Sequence, residues 1–351
     1  MSTPKSTNMR LRLLLCLLAF FAITVTSAAK GNYQEVSASG KIFMVLKTDE
    51  TLWAWGWNYL GQLGDGTTTD HLNPVKVMDD VNAISTGDEH SLAVKNNGSL
   101  WVWGSNKFGQ LIDGTTTDHH SPIKVMDNVK QISAGGWHTM TILNDNTLWA
   151  CGLNRLGQLG DGSNTDRHTL VKIMDNVRQV SAGVEHTMAI KNDGTLWGWG
   201  NNFSGEIGDG ATTKTKCHLV PVKIMDNVRQ VSAGRNFTMA IKNDGSLWAW
   251  GFNYFGQLGD GTKTDRHSPV KILDNVRQVA AGREHTMAIT NDGSLWAWGR
   301  NDYGQLGDGS TTQRLSPVKI ADHVKTVSSG DHISIYITED GDLMTTGDLN
   351  K

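Results

Sequence analysis

The chain has 351 residues, of which 38% are hydrophobic, with 39 Gly, 13 Trp and a formal net charge of −3. An acidic balance with no Lys/Arg stripe excludes the electrostatic footprint of a nucleic-acid binder. The three cysteines, Cys16, Cys151 and Cys217, share no regular spacing and do not form a disulfide framework.

The N-terminus carries Lys5, Arg10 and Arg12, an apolar run from Leu13 to Val25, and then Thr26-Ser27-Ala28-Ala29. A basic start, a short apolar stretch and small residues at its end read as a secretory signal peptide over residues 1–28, so the mature protein is expected to be secreted or periplasmic. The run is too short for an ordinary membrane span, and no membrane span is expected after cleavage. Cys16 follows Leu13-Leu14-Leu15, where a lipoprotein site needs a small residue. Removing the three positive charges of residues 1–28 leaves a mature chain near −6.

From residue 32 to residue 350 the chain repeats itself. An anchor position recurs at Ser37, Ser85, Ser133, Ser181, Ser232, Ala280 and Ser328, in steps of 48 except for one of 51. Seven copies of a unit this long point to a propeller or a solenoid. Composition decides for sheet. The sixth copy reads Gln278–Gly282, His285–Ile289, Leu295–Gly299 and Pro317–Ile320, four β-prone runs separated by Gly, Pro or Asn-Asp-Gly, with no helical period. One four-stranded sheet cannot bury both faces, but a ring of them can, so the expected fold is an all-β, seven-bladed propeller. Paired tryptophans such as Trp53/Trp55 and Trp248/Trp250 alternate with a small residue. Both rings therefore leave one face of the strand, which makes the Trp content mostly core.

The strings Ser-Ala-Gly-x-x-His-Thr-Met-Ala-Ile, Asn-Asp-Gly-Ser-Leu-Trp-Ala-Trp-Gly and Asn-x-x-Gly-Gln-Leu-Gly-Asp-Gly-Thr resemble the regulator of chromosome condensation repeat. That resemblance covers residues 32–350 and implies a seven-bladed propeller. The family's best-known role, chromatin binding with nucleotide exchange on a small GTPase, suits this acidic chain poorly and is a distant alternative. A secreted protein of the same superfamily, the type II β-lactamase inhibitory protein, is similar in architecture and implies a protein-binding face. Seven copies of the first three runs stand against six Pro-Val-Lys-Ile-type runs, so one blade is expected to lack a strand. The ring is then expected to close by face packing rather than by a strand exchanged between the termini.

No nucleophile motif, phosphate-cradling loop or paired-carboxylate signature stands out, so the protein is not expected to be an enzyme or to carry a cofactor or metal. His90, His138, His186 and His285 share one repeat position that Ile42, Phe237 and Ile333 also fill, which favours a buried His with one hydrogen bond over a zinc ring. Asp-Gly-x-x-x-Asp, as at Asp65/Asp70, lacks the ligand density of a calcium loop.

If the first run of each copy points up, the Gly-x-x-His turn and the loop after Trp-Gly leave from one face, and these are the segments that vary between copies. They supply a ring of aromatic and charged candidates for binding: Trp57, Tyr59, Lys107, Trp137, Arg155, Phe203, Arg235, Phe252, Tyr254, Arg283, Arg300 and Asp302. Trp57, Trp137, Phe252 and Tyr254 are expected to be exposed. Leu60, Phe108, Leu156, Phe255 and Tyr303, at one shared position, are divided between core and surface. The expected function is a secreted, monomeric, non-catalytic propeller that engages an extracellular or envelope protein. A glycan-binding propeller is the alternative.

Overall fold

The four runs of each copy hydrogen-bond in sequence order into one antiparallel sheet, and seven such sheets stand around a central channel. The computed structural model describes residues 26–211 and 217–348. Blade 1 is β2 (Tyr33–Ser39), β3 (Ile42–Lys47), β4 (Leu52–Gly56) and β5 (His71–Met78), and blades 2 to 6 repeat this order. Small residues at the ends of the first strands, among them Ala38, Ala134, Ala182, Ala233 and Ala281, line the channel. Among the described residues no helix is long and apolar enough to cross a membrane.

The expectation of a blade short of one strand is corrected by the sheet order. All seven sheets have four strands. Blade 7 contributes β26 (Val324–Ser329), β27 (Ile333–Thr338) and β28 (Asp342–Gly347), and its fourth strand is β1 (Thr26–Lys30) from the other end of the chain. β1 runs antiparallel to β28, with Thr26 opposite Thr345, Ser27 opposite Met344 and Lys30 opposite Asp342. The termini therefore do share a sheet. The Met/Leu-Asp-Asn-Val segment joins the outer strand of one blade to the inner strand of the next. Its tight reversal places Asn128, Asn176, Asn227 and Asn275 at φ between 59° and 64°, a left-handed conformation that Asn tolerates. The signal-peptide reading of residues 1–28 lies outside the described residues as far as residue 25, and residues 26–28 fall within β1.

The core lies between blades. One cluster joins Ile42, Met44, Leu52 and Leu63 of blade 1 to Val81, Ile84 and Trp103 of blade 2, and the pattern recurs around the ring. The paired tryptophans divide this work. The second ring of the pair, as in Trp103, Trp199, Trp250 and Trp298, is fully buried. The first, as in Trp248, is half-buried, with its indole N–H donated to the Ser246 hydroxyl at 2.9 Å. Cys151 fills one of the buried Trp slots, and burial pushes its thiol pKa up.

Two outcomes follow from this packing. Trp250→Ala is expected to cost about 3–5 kcal/mol in denaturant unfolding, and Trp248→Ala clearly less, because only the first leaves a sealed void. A chain starting at Gly31 should melt below one starting at Thr26, since β28 then loses its outer partner and becomes an edge strand; the intact mass of the native protein shows which form the cell makes.

Candidate functional site

The Gly-x-x-His turn is shaped by its ring. A Cβ on Gly135 would lie 2.2 Å from Cε1 and 2.5 Å from Nδ1 of His138, so only Gly lets the ring sit beneath the turn. His90, His138, His186 and His285 are buried, and each Nε2 meets a hydroxyl of the next blade: Thr139, Thr187 and Thr238 at 3.0 Å and Ser334 at 2.8 Å. Each of those hydroxyls donates its own proton to a backbone carbonyl of Gln110, Gln158, Glu206 or Gln305. The hydroxyl must therefore accept from the imidazole, which fixes the Nε2–H tautomer and leaves Nδ1 unpartnered. Burial pulls these imidazoles down from 6.5 to about 3, so they are neutral seam residues. The buried, singly bonded histidine expected from the repeat is what these positions hold. Among the described residues no three His, Cys, Asp or Glu side chains converge on a metal position.

The second variable loop is built on an Asn. Asn58 donates its side-chain amide to Asp65 at 3.0 Å and to the Thr67 carbonyl at 3.1 Å, its carbonyl oxygen accepts the Leu63 N–H, and its own N–H goes to Asp70 at 2.7 Å. The other oxygen of Asp65 pairs with His71 at 2.8 Å. His119, Arg167, His218, Arg266 and Arg314 hold the equivalent Asp in their copies. The Asp-Gly-x-x-x-Asp carboxylates are thus used within the loop. The His or Arg that clamps each one recurs at a single repeat position, a sequence signal not used above.

Both loops open on the same face, as the strand directions implied. Around the channel mouth they enclose a cup of about 460 Å³ that includes Trp57, Tyr59, Trp137, Arg235, Arg283 and Arg300 among the candidates. Lys107, Arg155, Phe203, Phe252, Tyr254 and Asp302 do not line the cup; they belong to the same loops farther out. Trp57 (42%), Tyr59 (49%), Phe203 (56%) and Tyr254 (61%) are the large aromatic side chains left most exposed. Trp137 and Phe252, expected to be exposed, are half-buried. Trp137 is tied down by its indole N–H, donated to Glu89 at 3.1 Å, and Phe252 stacks on Tyr254 with ring centroids 6.4 Å apart. The shared position of Leu60, Phe108, Leu156, Phe255 and Tyr303 is half-buried throughout, and arginines cover three of its rings: Arg155 over Phe108, and Arg300 over both Phe255 and Tyr303.

The candidates named from sequence hold one acid, Asp302, yet carboxylates organise the cup. Arg283 pairs with Asp331, and Arg300 with Glu284 at 2.6 Å and Asp302 at 2.8 Å. Glu89 receives the Tyr59 hydroxyl at 2.8 Å. Burial, reinforced by Asp331 and opposed by Arg283 and the Ser39 hydroxyl, raises Asp88 to about 6. Asp88, Glu89, Glu284 and Asp331 stand one or two residues after the Gly of a first turn, where Glu recurs in three copies and Asp in two.

One perturbed acid lies in the fourth copy. Glu206 occupies the place of Gln62, Gln110, Gln158, Gln257 and Gln305, is fully buried, and burial raises it from 4.5 to about 7. Its Oε2 accepts the Ser204 N–H at 2.8 Å, as the Gln Oε1 does in other copies, and Oε1 is unpartnered. Sealed from solvent, it takes the place of Gln, with burial holding its proton up to about 7. The unfolded chain releases this proton near 4.5 and the folded chain near 7, so stability falls as pH rises through that window. Glu206→Gln should therefore raise the melting temperature at pH 8 and leave it nearly unchanged at pH 4.5, as thermal melts at the two pH values will show.

Seven four-stranded blades latched through Gly-x-x-His, Trp-x-Trp and Gly-Gln-Leu elements, with the variable loops gathered on one face, define a repeat propeller that displays a binding surface. The chain belongs to the RCC1-like domain family, whose model matches residues 21–276 and 174–351. It is similar to the ultraviolet-B receptor UVR8 of Arabidopsis thaliana, with 44% identity over 55 residues, a stretch that covers 14% of this chain and 12% of the receptor. Its fold matches human WBSCR16 with a TM-score of 0.78 at 23% identity, over 91% of this chain and 87% of that one. Prp20p from Saccharomyces cerevisiae matches with a TM-score of 0.76 at 20% identity, over 90% and 82%.

Proposed function

We propose that this protein is a non-catalytic binding propeller that engages a protein partner through the face bearing the cup, and that it does so outside the cytoplasm. The observation that carries the reading is the concentration on that one face of Trp57, Tyr59, Phe203 and Tyr254, exposed around a mouth lined by Arg, Asp and Glu. Rigid aromatics beside arginines on a fixed scaffold are the composition of protein hot spots, and the blades differ from one another there, which suits one asymmetric partner better than seven equal subsites. Protein binding also agrees with the fold relatives: Prp20p has binding properties toward Gsp1p and histones. The extracellular setting draws on the leader-like sequence of residues 1–28. An exchange-factor role rests on family analogy and draws on no feature of the cup.

A glycan is the competing ligand, favoured by the near-parallel Phe252 and Tyr254 rings at 14° with Tyr254 open to solvent. The two readings separate in a cross-linked pull-down from native culture fluid and envelope extract. The wild-type chain is compared with a variant changing Trp57, Trp137, Phe252 and Tyr254 to Ala, its fold checked by near-ultraviolet circular dichroism. Capture of one protein that the folded variant loses is the expected outcome. Equal capture by both chains, or retention of glycan alone, overturns the protein-docking reading.

A further inference from the structure

The charges of the cup divide it into two unlike halves. On the side of blades 5 to 7, guanidiniums meet carboxylates: Arg283 with Asp331, Arg300 with Glu284, and Arg235 with Glu284 at 3.5 Å. On the side of blades 1 to 3, the hydrogen bonds to the acids come from neutral groups. Glu89 accepts the Tyr59 hydroxyl on one oxygen and the Trp137 indole N–H on the other, and Asp88 accepts the Ser39 hydroxyl at 3.3 Å. The donors to Glu89 are themselves aromatic walls, and Trp57 stands edge-on to Tyr59 with centroids 6.0 Å apart.

A carboxylate held at the polar edges of aromatic rings attracts a cation through its charge, and the negative faces of the same rings add to that attraction. A neutral hydrogen-bond donor does not cancel that charge as a bound arginine would. The chain supplies an example of the cation that fits: the Lys41 ammonium lies 3.7 Å from the centroid of the Trp57 ring. Trp57, Tyr59, Glu89, Trp137 and Lys41 line the same cavity.

We propose that this half of the cup is a recessed site for a cationic side chain of the protein partner, a lysine or arginine whose head group sits against Glu89 between Trp57, Tyr59 and Trp137. The inference rests on the reading of this face as a protein-docking surface and specifies what the face grips. Lys41 covers one side of Trp57 and so competes with the incoming cation. Removing Lys41 and removing the charge of Glu89 must then act in opposite directions, which a purely structural role for either residue would not produce.

The test uses n-butylguanidinium and n-butylammonium as probes and pentan-1-ol as their neutral counterpart, at constant ionic strength. The readout is the Trp137 indole N–H resonance of the labelled full chain, assigned with Trp137→Phe. Saturable shifts with both cations and none with the alcohol are expected. Glu89→Gln should weaken probe binding about tenfold, and Lys41→Met should strengthen it roughly two- to fivefold, both variants retaining the wild-type melting temperature within a few degrees. No saturable shift, an equal response to pentan-1-ol, unchanged binding in Glu89→Gln or weaker binding in Lys41→Met overturns the site. Should Glu89→Gln unfold, the sign of the Lys41→Met effect decides. A partner protein captured through this face with unchanged affinity for Glu89→Gln would overturn the cation site alone; probe binding with no protein captured would overturn the docking reading alone.

Discussion

Six of the seven seams each depend on one backbone carbonyl. The residue after Gly in the second loop, Gln62, Gln158, Glu206 or Gln257, accepts the indole N–H of the buried Trp of the next blade at 2.9–3.0 Å. The same carbonyl accepts a Ser or Thr hydroxyl from that blade's second strand at 2.8 Å. A carbonyl with two lone pairs is thereby fully used, and three elements of two blades are brought to one point. Leaving that oxygen buried and unpaired would cost more than the bonds contribute net, so the latch specifies register as much as it stabilises. The anchor Ser of the repeat works in parallel nearer the axis, its hydroxyl accepting a backbone N–H of the next blade, as Ser85 does from Ala134 and Ser328 from Ala38. Where the sixth copy has Ala280 instead, Ser329 of blade 7 donates its hydroxyl to the Ala280 carbonyl at 3.4 Å.

The seam between blades 7 and 1 is built differently. Ile333 takes the His place, Phe43 the Thr place, and Phe43 stacks on Trp55 with centroids 5.6 Å apart, within a cluster that includes Val36, Val45, Ile335 and Leu343. Apolar packing and the β1–β28 pairing together hold the seam that joins the first copy to the last. Because the latches and the Asn-centred clamps use residues at the roots of the loops, the loop tips carry no duty to the fold. Blade-to-blade variation on that face is therefore structurally cheap, and one side of a near-symmetric ring becomes an asymmetric surface.

Much of this was legible beforehand, for identifiable reasons. The 48-residue period, the Trp-x-Trp alternation and the tolerance of His90-type positions for Ile or Phe are local patterns that seven copies repeat, and they led to blade number, core and seam histidines. The gathering of Trp57, Trp137 and Arg283 on one face followed from strand direction alone. Ring closure did not, because β1 lies before the first copy and resembles none of the other outer strands. Strand direction also puts Asp88, Glu89, Glu284 and Asp331 on that face, but they were not ranked among the binding candidates, because their importance comes from the side chains they meet across the cup. Trp137 and Phe252 were expected to be exposed but are half-buried, the first held by Glu89 of a neighbouring blade and the second stacked on Tyr254 of its own loop.

By itself the sequence determined a seven-bladed propeller of one repeated unit, since binary pattern, turn residues and periodicity act over a few residues and do not need the ring to be closed. Only the tertiary structure decided how the ring closes and which side chains meet at its mouth. Curvature brings blades 1 and 7 together across almost the whole chain, and the pairing of Glu89 with Tyr59 and Trp137, of Arg283 with Asp331 and of Glu284 with Arg300 exists only once separate turns and loops become neighbours.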